Sequence, residues 1–303
     1  MSTAMPTLKQ GEAEVVVSPR FGGALAYFRW RGNDILRPAP PFVISAESGW
    51  LPVRKMACYP LVPYSNRIAH AELPEGGRLY KLRANAPPEI HSLHGFGWQR
   101  AWSIAAQSSN SIELRLAHPA DDDWPFACDV SQHIALLPGD IGASLRVDLS
   151  IRNTGDIAMP TGLGLHPYFP IDSSTRFQAR CRDMWLMSAD MLPTDLVPIS
   201  AADDFSEMRE ISGWRVDNCF TGWNGSARLQ YASHVVEMQA GDSCRQLVCF
   251  APNDGRNFIA LEPVTNVNNA FALAASGVAD TGVCRLSPGE SLAMSMSIKV
   301  APR

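Results

Sequence analysis

The amino-acid sequence predicts an all-β fold, read as one domain over residues 1–303 with 1–12 as a loosely ordered N-terminal extension. Three observations predict it. Apolar and polar residues alternate with period two from one end of the chain to the other. Turn-forming pairs punctuate the alternating runs. No segment keeps an apolar helical face for more than two or three turns, 202–211 being the best short candidate.

In chain order, strands are expected at 14–18, 24–30, 102–107, 112–116, 127–136, 143–151, 227–231, 234–239, 246–250, 257–262 and 292–300. The run 143–151 is the clearest: Ala143, Leu145, Val147, Leu149 and Ile151 alternate with Ser144, Arg146, Asp148 and Ser150. That pattern puts one face in a core and one in water. Leu292, Met294, Met296, Ile298 and Val300 repeat it at the C-terminal end. Between runs lie Arg31-Gly32-Asn33-Asp34, Glu75-Gly76-Gly77, Pro138-Gly139-Asp140 and Ser287-Pro288-Gly289, which are turn chemistry. Many short alternating strands indicate a sandwich or barrel. A strand–helix alternation with a glycine-rich phosphate loop is missing, which speaks against nucleotide-binding α/β folds.

Composition narrows the function. Twenty-six basic and thirty acidic residues leave a net charge of −4 without a basic run, so a nucleic-acid partner is not expected. No stretch approaches 18 consecutive apolar residues, so no membrane-spanning helix is expected. The N-terminus lacks the basic start and apolar stretch of a secretory signal. Seven cysteines without a Cys-x-x-Cys pair fit neither a disulfide framework nor a thiolate zinc site, and suit a reducing cytoplasm.

Polar, charged and aromatic residues gather in segments between strands: 59–68, 91–98, 162–169, 258–266 and, more weakly, 216–223. Glu262 follows the apolar run Phe258-Ile-Ala-Leu and precedes Pro263, which keeps its backbone extended. A carboxylate at the end of a core strand is either paired or functional, because burying it alone is costly. His166 lies between Leu163, Leu165 and Pro167-Tyr-Phe169, where a satisfied core histidine and a catalytic one are both open readings. His91 and His94 form a His-x-x-His pair, but positions three apart on an extended chain point to opposite faces, so no metal site is expected. Arg67, after Asn66, is either a solvated charge or a hydroxyl-binding donor. Asp217 suits a turn as well as a site. Trp98, Trp223 and Phe169 are core aromatics or an apolar floor for a sugar ring.

Together these segments resemble the aldose 1-epimerase (galactose mutarotase-like) family. The resemblance rests on Asn66-Arg67-Ile68, Leu93-His94-Gly95, His166-Pro-Tyr-Phe169, Asp217 before Phe220, and Leu261-Glu262-Pro263, in that order over some 200 residues. It implies a β-supersandwich and interconversion of α and β sugar anomers without a cofactor or metal. By similarity, Glu262 is the general base on the anomeric hydroxyl and His166 the general acid on the ring oxygen. Arg67, His94 and Asp217 match the family's sugar contacts, with Asn66 and Trp98 added as substrate-binding residues. At their ordinary values, near ~4.3 for Glu and ~6.5 for His, the pair would already be close to those protonation states.

The chain departs from the best-studied members at Gly95-Phe-Gly-Trp98, at Pro60-Leu-Val-Pro63 and after Pro263, which puts galactose in doubt and points to less-characterised bacterial branches. Two alternatives accompany the mutarotase. A hexose-phosphate mutarotase would clamp phosphate with residues such as Arg54, Lys55, Arg100 or Arg245; a non-catalytic sugar-binding protein would need no His166–Glu262 pair. The expected partner is a small sugar, acting on a cytoplasmic monomer or homodimer.

Overall fold

The computed structural model describes residues 5–40, 53–139, 142–252 and 254–303. Almost every element is a strand, and the named strands pair antiparallel throughout, as the period-two pattern requires. A nine-stranded sheet is built around Cys128–Pro138, Ala143–Asn153, Ser291–Pro302 and His234–Ala240. Leu145, Val147 and Leu149 face Ile298, Met296 and Met294 across one ladder, all buried.

An eight-stranded sheet runs Pro193–Pro198, Asp183–Met187, Val216–Thr221, Gln246–Ala251, Phe258–Val264, Gly164–Leu165 and Pro60–Leu61, with Tyr168–Pro170 also on Phe258–Val264. Its two faces enter different cores. Leu247, Cys249, Ile259 and Leu261 join the inner face of the nine-stranded sheet. Val248, Ala260, Phe258 and Val264 join a second cluster with Ala24, Ala26, Tyr59, Trp98 and Tyr168. A strand covered on both sides reads as a continuous apolar run, and all seven residues of Phe258–Val264 are buried. Full burial of one such aliphatic side chain contributes about 1.5–3 kcal/mol.

Two expectations need correction. Thr7–Gln10, read as loose, is a strand on Ala13–Ser18 with Leu8 fully buried; residues 1–4 lie outside the described residues, as does Asp140 of one expected turn. Residues 202–211 are not helical. Asp203 and Asp204 bond Ser200 and the Ser206 amide, local bonds that compete with a helix, and Arg209–Glu210 pairs as a short strand. Among the described residues the α-helix is Ala270–Ala275 instead, six residues that are too short to show a period. Among the described residues no helix is long and apolar enough to cross a membrane.

Candidate active site

Register explains how distant residues meet. Val248 pairs with both Cys219 and Glu262, and Phe250 with both Asp217 and Ala260. Side chains two apart share a face, so Asp217, Phe250 and Glu262 all project from the face that carries the second core cluster. At the edge of that face the apolar filling stops and a solvent-open pocket begins, lined by Arg54, Tyr59, Asn66, Arg67, Leu93, His94, His166, Tyr168, Asp217, Phe250 and Glu262.

His166 belongs to the same sheet: Gly164 pairs with Val264 and Tyr168 with Ala260, which brings position 166 beside Glu262. Its amide donates to Tyr59 O at 3.0 Å and that of Tyr168 to Ala57 O at 2.9 Å, which lays 166–168 along 57–59. His166 Nε2 then lies 3.0 Å from Glu262 Oε1, with both side chains under a tenth exposed. Burial, reinforced by the charge of Asp217 and only opposed by Arg67, pushes the Glu262 carboxyl well above its usual range. Burial, with His94, Arg37 and Arg54 nearby, holds His166 well below its usual range. Both directions favour a neutral carboxylic acid donating to a neutral imidazole. The ordinary values do not describe this pair, whose two groups titrate together.

The other walls come from two loops. The Asn66 amide donates to His94 Nδ1 at 3.0 Å, so the neutral ring carries its hydrogen on Nε2 as a donor. Burial, then Arg67 and Arg54, keeps His94 from taking a second proton. Gly95 is required here: its φ is +68°, and a Cβ would meet Val62 O at 2.2 Å. Arg67 pairs by Nε with Glu89 Oε2 at 2.9 Å, while Asn66 Oδ1 accepts from the Arg67 amide at 3.0 Å and from Nη1 at 3.3 Å. Burial raises Asp217 to about 6, against Arg67 and Arg54.

Six of the seven expected site residues therefore line one pocket: Asn66, Arg67, His94, His166, Asp217 and Glu262. Trp98 does not. It is fully buried behind Tyr59, and its Nε1 donates to the carbonyls of Leu93 and Gly95, so it has no face to offer a sugar. The apolar lining residues are Leu93 and Phe250, and sequence reasoning missed Phe250. Of the phosphate-clamp candidates, Arg54 lines the pocket; Lys55 and Arg245 are exposed outside its lining, and Arg100 pairs with Asp121 and Asp123. His91 is buried and its Nδ1 accepts from the His70 amide, so the two histidines of the pair serve different segments. Tyr59, Tyr168 and Glu89 were also missed. Spacing could have found Tyr168, two residues from His166.

The chain is 29% identical to the uncharacterized protein YphB of Escherichia coli K12, over 97% of this chain and 98% of that one. A crystal structure from Escherichia coli K12, named a candidate aldose 1-epimerase, superposes with a TM-score of 0.87 at 28% identity over 99% of both chains. A galactose mutarotase-like protein from Clostridium acetobutylicum shares the fold at a TM-score of 0.81 and 17% identity, over 98% of this chain and 95% of that one. The aldose 1-epimerase family itself matches residues 5–299. With nearly its whole length inside that match, this chain belongs to the aldose 1-epimerase family.

Proposed function

We propose that the protein is a mutarotase for a free aldose, interconverting its α and β anomers by ring opening. The observation that carries this reading is the 3.0 Å contact between His166 Nε2 and Glu262 Oε1 in a pocket shared with Arg67, Asp217 and His94. An acid and a base within one hydrogen bond can bracket the hydroxyl and ring oxygen of one anomeric carbon, atoms about 2–3 Å apart. A protein that only binds sugar has no need of both.

On this reading the sugar enters with its anomeric hydroxyl on Glu262, and the carboxyl proton moves to His166. Glu262 takes the hydroxyl proton, the freed electron pair forms the C1 carbonyl, and the bond from C1 to the ring oxygen breaks. His166 delivers its proton to that ring oxygen. Rotation about C1–C2 and the reverse steps give the other anomer, so the pair ends with the proton count it began with. Arg67 and Asp217 hold hydroxyls, the Nε2–H of His94 offers a donor beside the ring oxygen, and Phe250 faces the sugar's C–H surface. Every group used comes from one chain, without a cofactor. Seven free cysteines suit a cytoplasmic setting.

The test is a polarimetric assay on freshly dissolved, anomerically pure aldoses, each with a no-enzyme baseline. Because Arg54 lines the pocket, the panel includes the 6-phosphates. Acceleration of at least one sugar is expected. None over the whole panel, with sugar binding retained, would leave a binding protein.

A further inference from the structure

His166 packs in the corner of two tyrosine rings that also touch each other, with centroids 6.2 Å apart, and beyond them lie Trp98 and Arg37, which do not line the pocket. Trp98 lies on Tyr59 with ring centroids 5.8 Å apart and 27° between planes. Tyr59 lies on His166 at 4.7 Å and 31°, and His166 on Tyr168 at 4.4 Å and 25°. The guanidinium of Arg37 lies over Tyr168, its Cζ 3.8 Å from the centre of that ring. Hydroxyls tie the rings together: Tyr59 to Tyr168 at 3.2 Å, and Tyr168 to His166 Nε2 at 3.4 Å.

Arg37 is held firmly. Its Nη2 donates to the carbonyls of Met56 at 2.9 Å and Arg54 at 3.2 Å, and its amide donates to Tyr168 O at 2.8 Å. Its Cζ also lies 4.5 Å from the Phe258 ring, which Arg256 approaches from the 254–257 segment at 5.1 Å. Among the described residues no carboxylate forms an ion pair with Arg37. A half-buried cation is costly to keep, and burial indeed lowers its own proton affinity. It nevertheless sits at most about 8 Å from the imidazole, within reach of an interaction worth tenfold or more in a proton equilibrium.

We propose that Arg37 is an electrostatic positioning residue for the His166–Glu262 pair, acting through the Tyr168 ring and never touching the sugar. This rests on the reading of His166 as the general acid. A fixed cation beside His166 disfavours the imidazolium, so that once formed it gives its proton up readily to a weakly basic ring oxygen. It also favours the Glu262 carboxylate, the form that accepts the hydroxyl proton. The remaining groups facing His166 are Glu262 itself, Tyr59, Tyr168, Cys58, His94 and Arg54, with Asp217 and Arg67 acting on Glu262. Arg54 lines the solvent-open pocket. Arg37 lies outside that lining, on Tyr168, where its field is unchanged by whatever fills the pocket.

The experiment compares wild type, Arg37→Gln and Arg37→Lys in two measurements on the full chain. One is the pH profile of kcat/KM with α-D-glucose, or with the fastest panel sugar if glucose is not turned over. The other is the side-chain nitrogen NMR titration of His166, assigned with His166→Asn. Losing the cation should move both limbs of the profile, and the His166 titration, to higher pH by about one unit, with roughly tenfold lower kcat/KM at neutral pH. Arg37→Lys keeps the charge and should keep the wild-type positions. Coincident wild-type and Arg37→Gln titrations would overturn the proposal, and so would an equal displacement by Lys and Gln. Arg37→Met, which still covers the Tyr168 and Phe258 rings, is the second neutral variant should Gln fail to fold. An enzyme inactive on every sugar would sink the mutarotase reading, while the titration would still decide the role of Arg37.

Discussion

Asn66 and His94 hold each other by two reciprocal hydrogen bonds: the Asn66 amide donates to His94 Nδ1 at 3.0 Å, and the His94 amide donates to Asn66 O at 2.8 Å. Both residues have positive φ, 63° and 58°, a conformation that Asn and His adopt more readily than most. The loop geometry thereby fixes the histidine tautomer.

A donor fixed in this way should be replaceable only by another donor. His94→Phe is expected to lose roughly 10- to 100-fold in turnover, and His94→Gln distinctly less, because its amide can still reach the pocket. Both leave the Asn66 amide unpaired, at a cost of about 1–3 kcal/mol, and both should melt earlier. Equal activity of the two variants would show that Nε2–H does not act in the reaction.

Glu89 aims Arg67 without lining the pocket. Its removal should act on binding more than on chemistry, since a hydroxyl contact serves substrate and transition state alike. Glu89→Ala is expected to raise KM about 3- to 10-fold with kcat within about twofold of wild type. Steady-state kinetics would reject this if kcat fell while KM stayed put.

Asp217, raised to about 6 by burial, should make binding sensitive to pH. Above about 6 it is a carboxylate that accepts strongly from sugar hydroxyls; below, it is a neutral acid. KM should therefore climb as pH falls through that value, and Asp217→Asn should show a high KM that is flat across it. An unchanged pH dependence in the Asn variant would assign it to another group.

Glu262→Gln should cost roughly 10²-fold or more in turnover, and so should His166→Asn. Stability should move the other way for Glu262. Its folded carboxyl stays protonated well above its unfolded value, so the unfolded state gains by ionising as pH rises and the fold is relatively weakened there. Gln has no such ionisation, so the variant should melt higher than wild type at pH 8 and nearly level with it at pH 4. Thermal scans at the two pH values check this, and a variant destabilised equally at both would contradict it.

Strand positions were legible because alternation is a local property: 24–30 was expected, and Ala24–Trp30 is observed. The pairing of the eight-stranded sheet was not, since alternation says which residues share a face but not which strand lies opposite. Glu262 and His166 stood out as polar groups in apolar frames. Trp98 misled because a large aromatic beside a binding segment reads the same whether it faces a ligand or props up the residue that does. Arg37 carried no signal at all. Its charge matters only once Tyr168–Pro170 and the chain after Asn33–Leu36 are packed together. The loss of 202–211 as a helix reflects aspartate and serine side chains bonding nearby backbone, which composition alone does not weigh.

Phe258–Val264 has every residue buried, with neighbouring strands on both edges, and Glu262 stands on it directly opposite Val248. Backbone amides in such a place exchange with deuterated solvent only when the whole sheet comes apart. The base is thus mounted on the part of the molecule that opens last. Fraying of loops and breathing of the pocket rim leave the carboxyl where it is. In urea, turnover and circular dichroism should disappear together, leaving no range in which an intact sandwich survives with its base displaced.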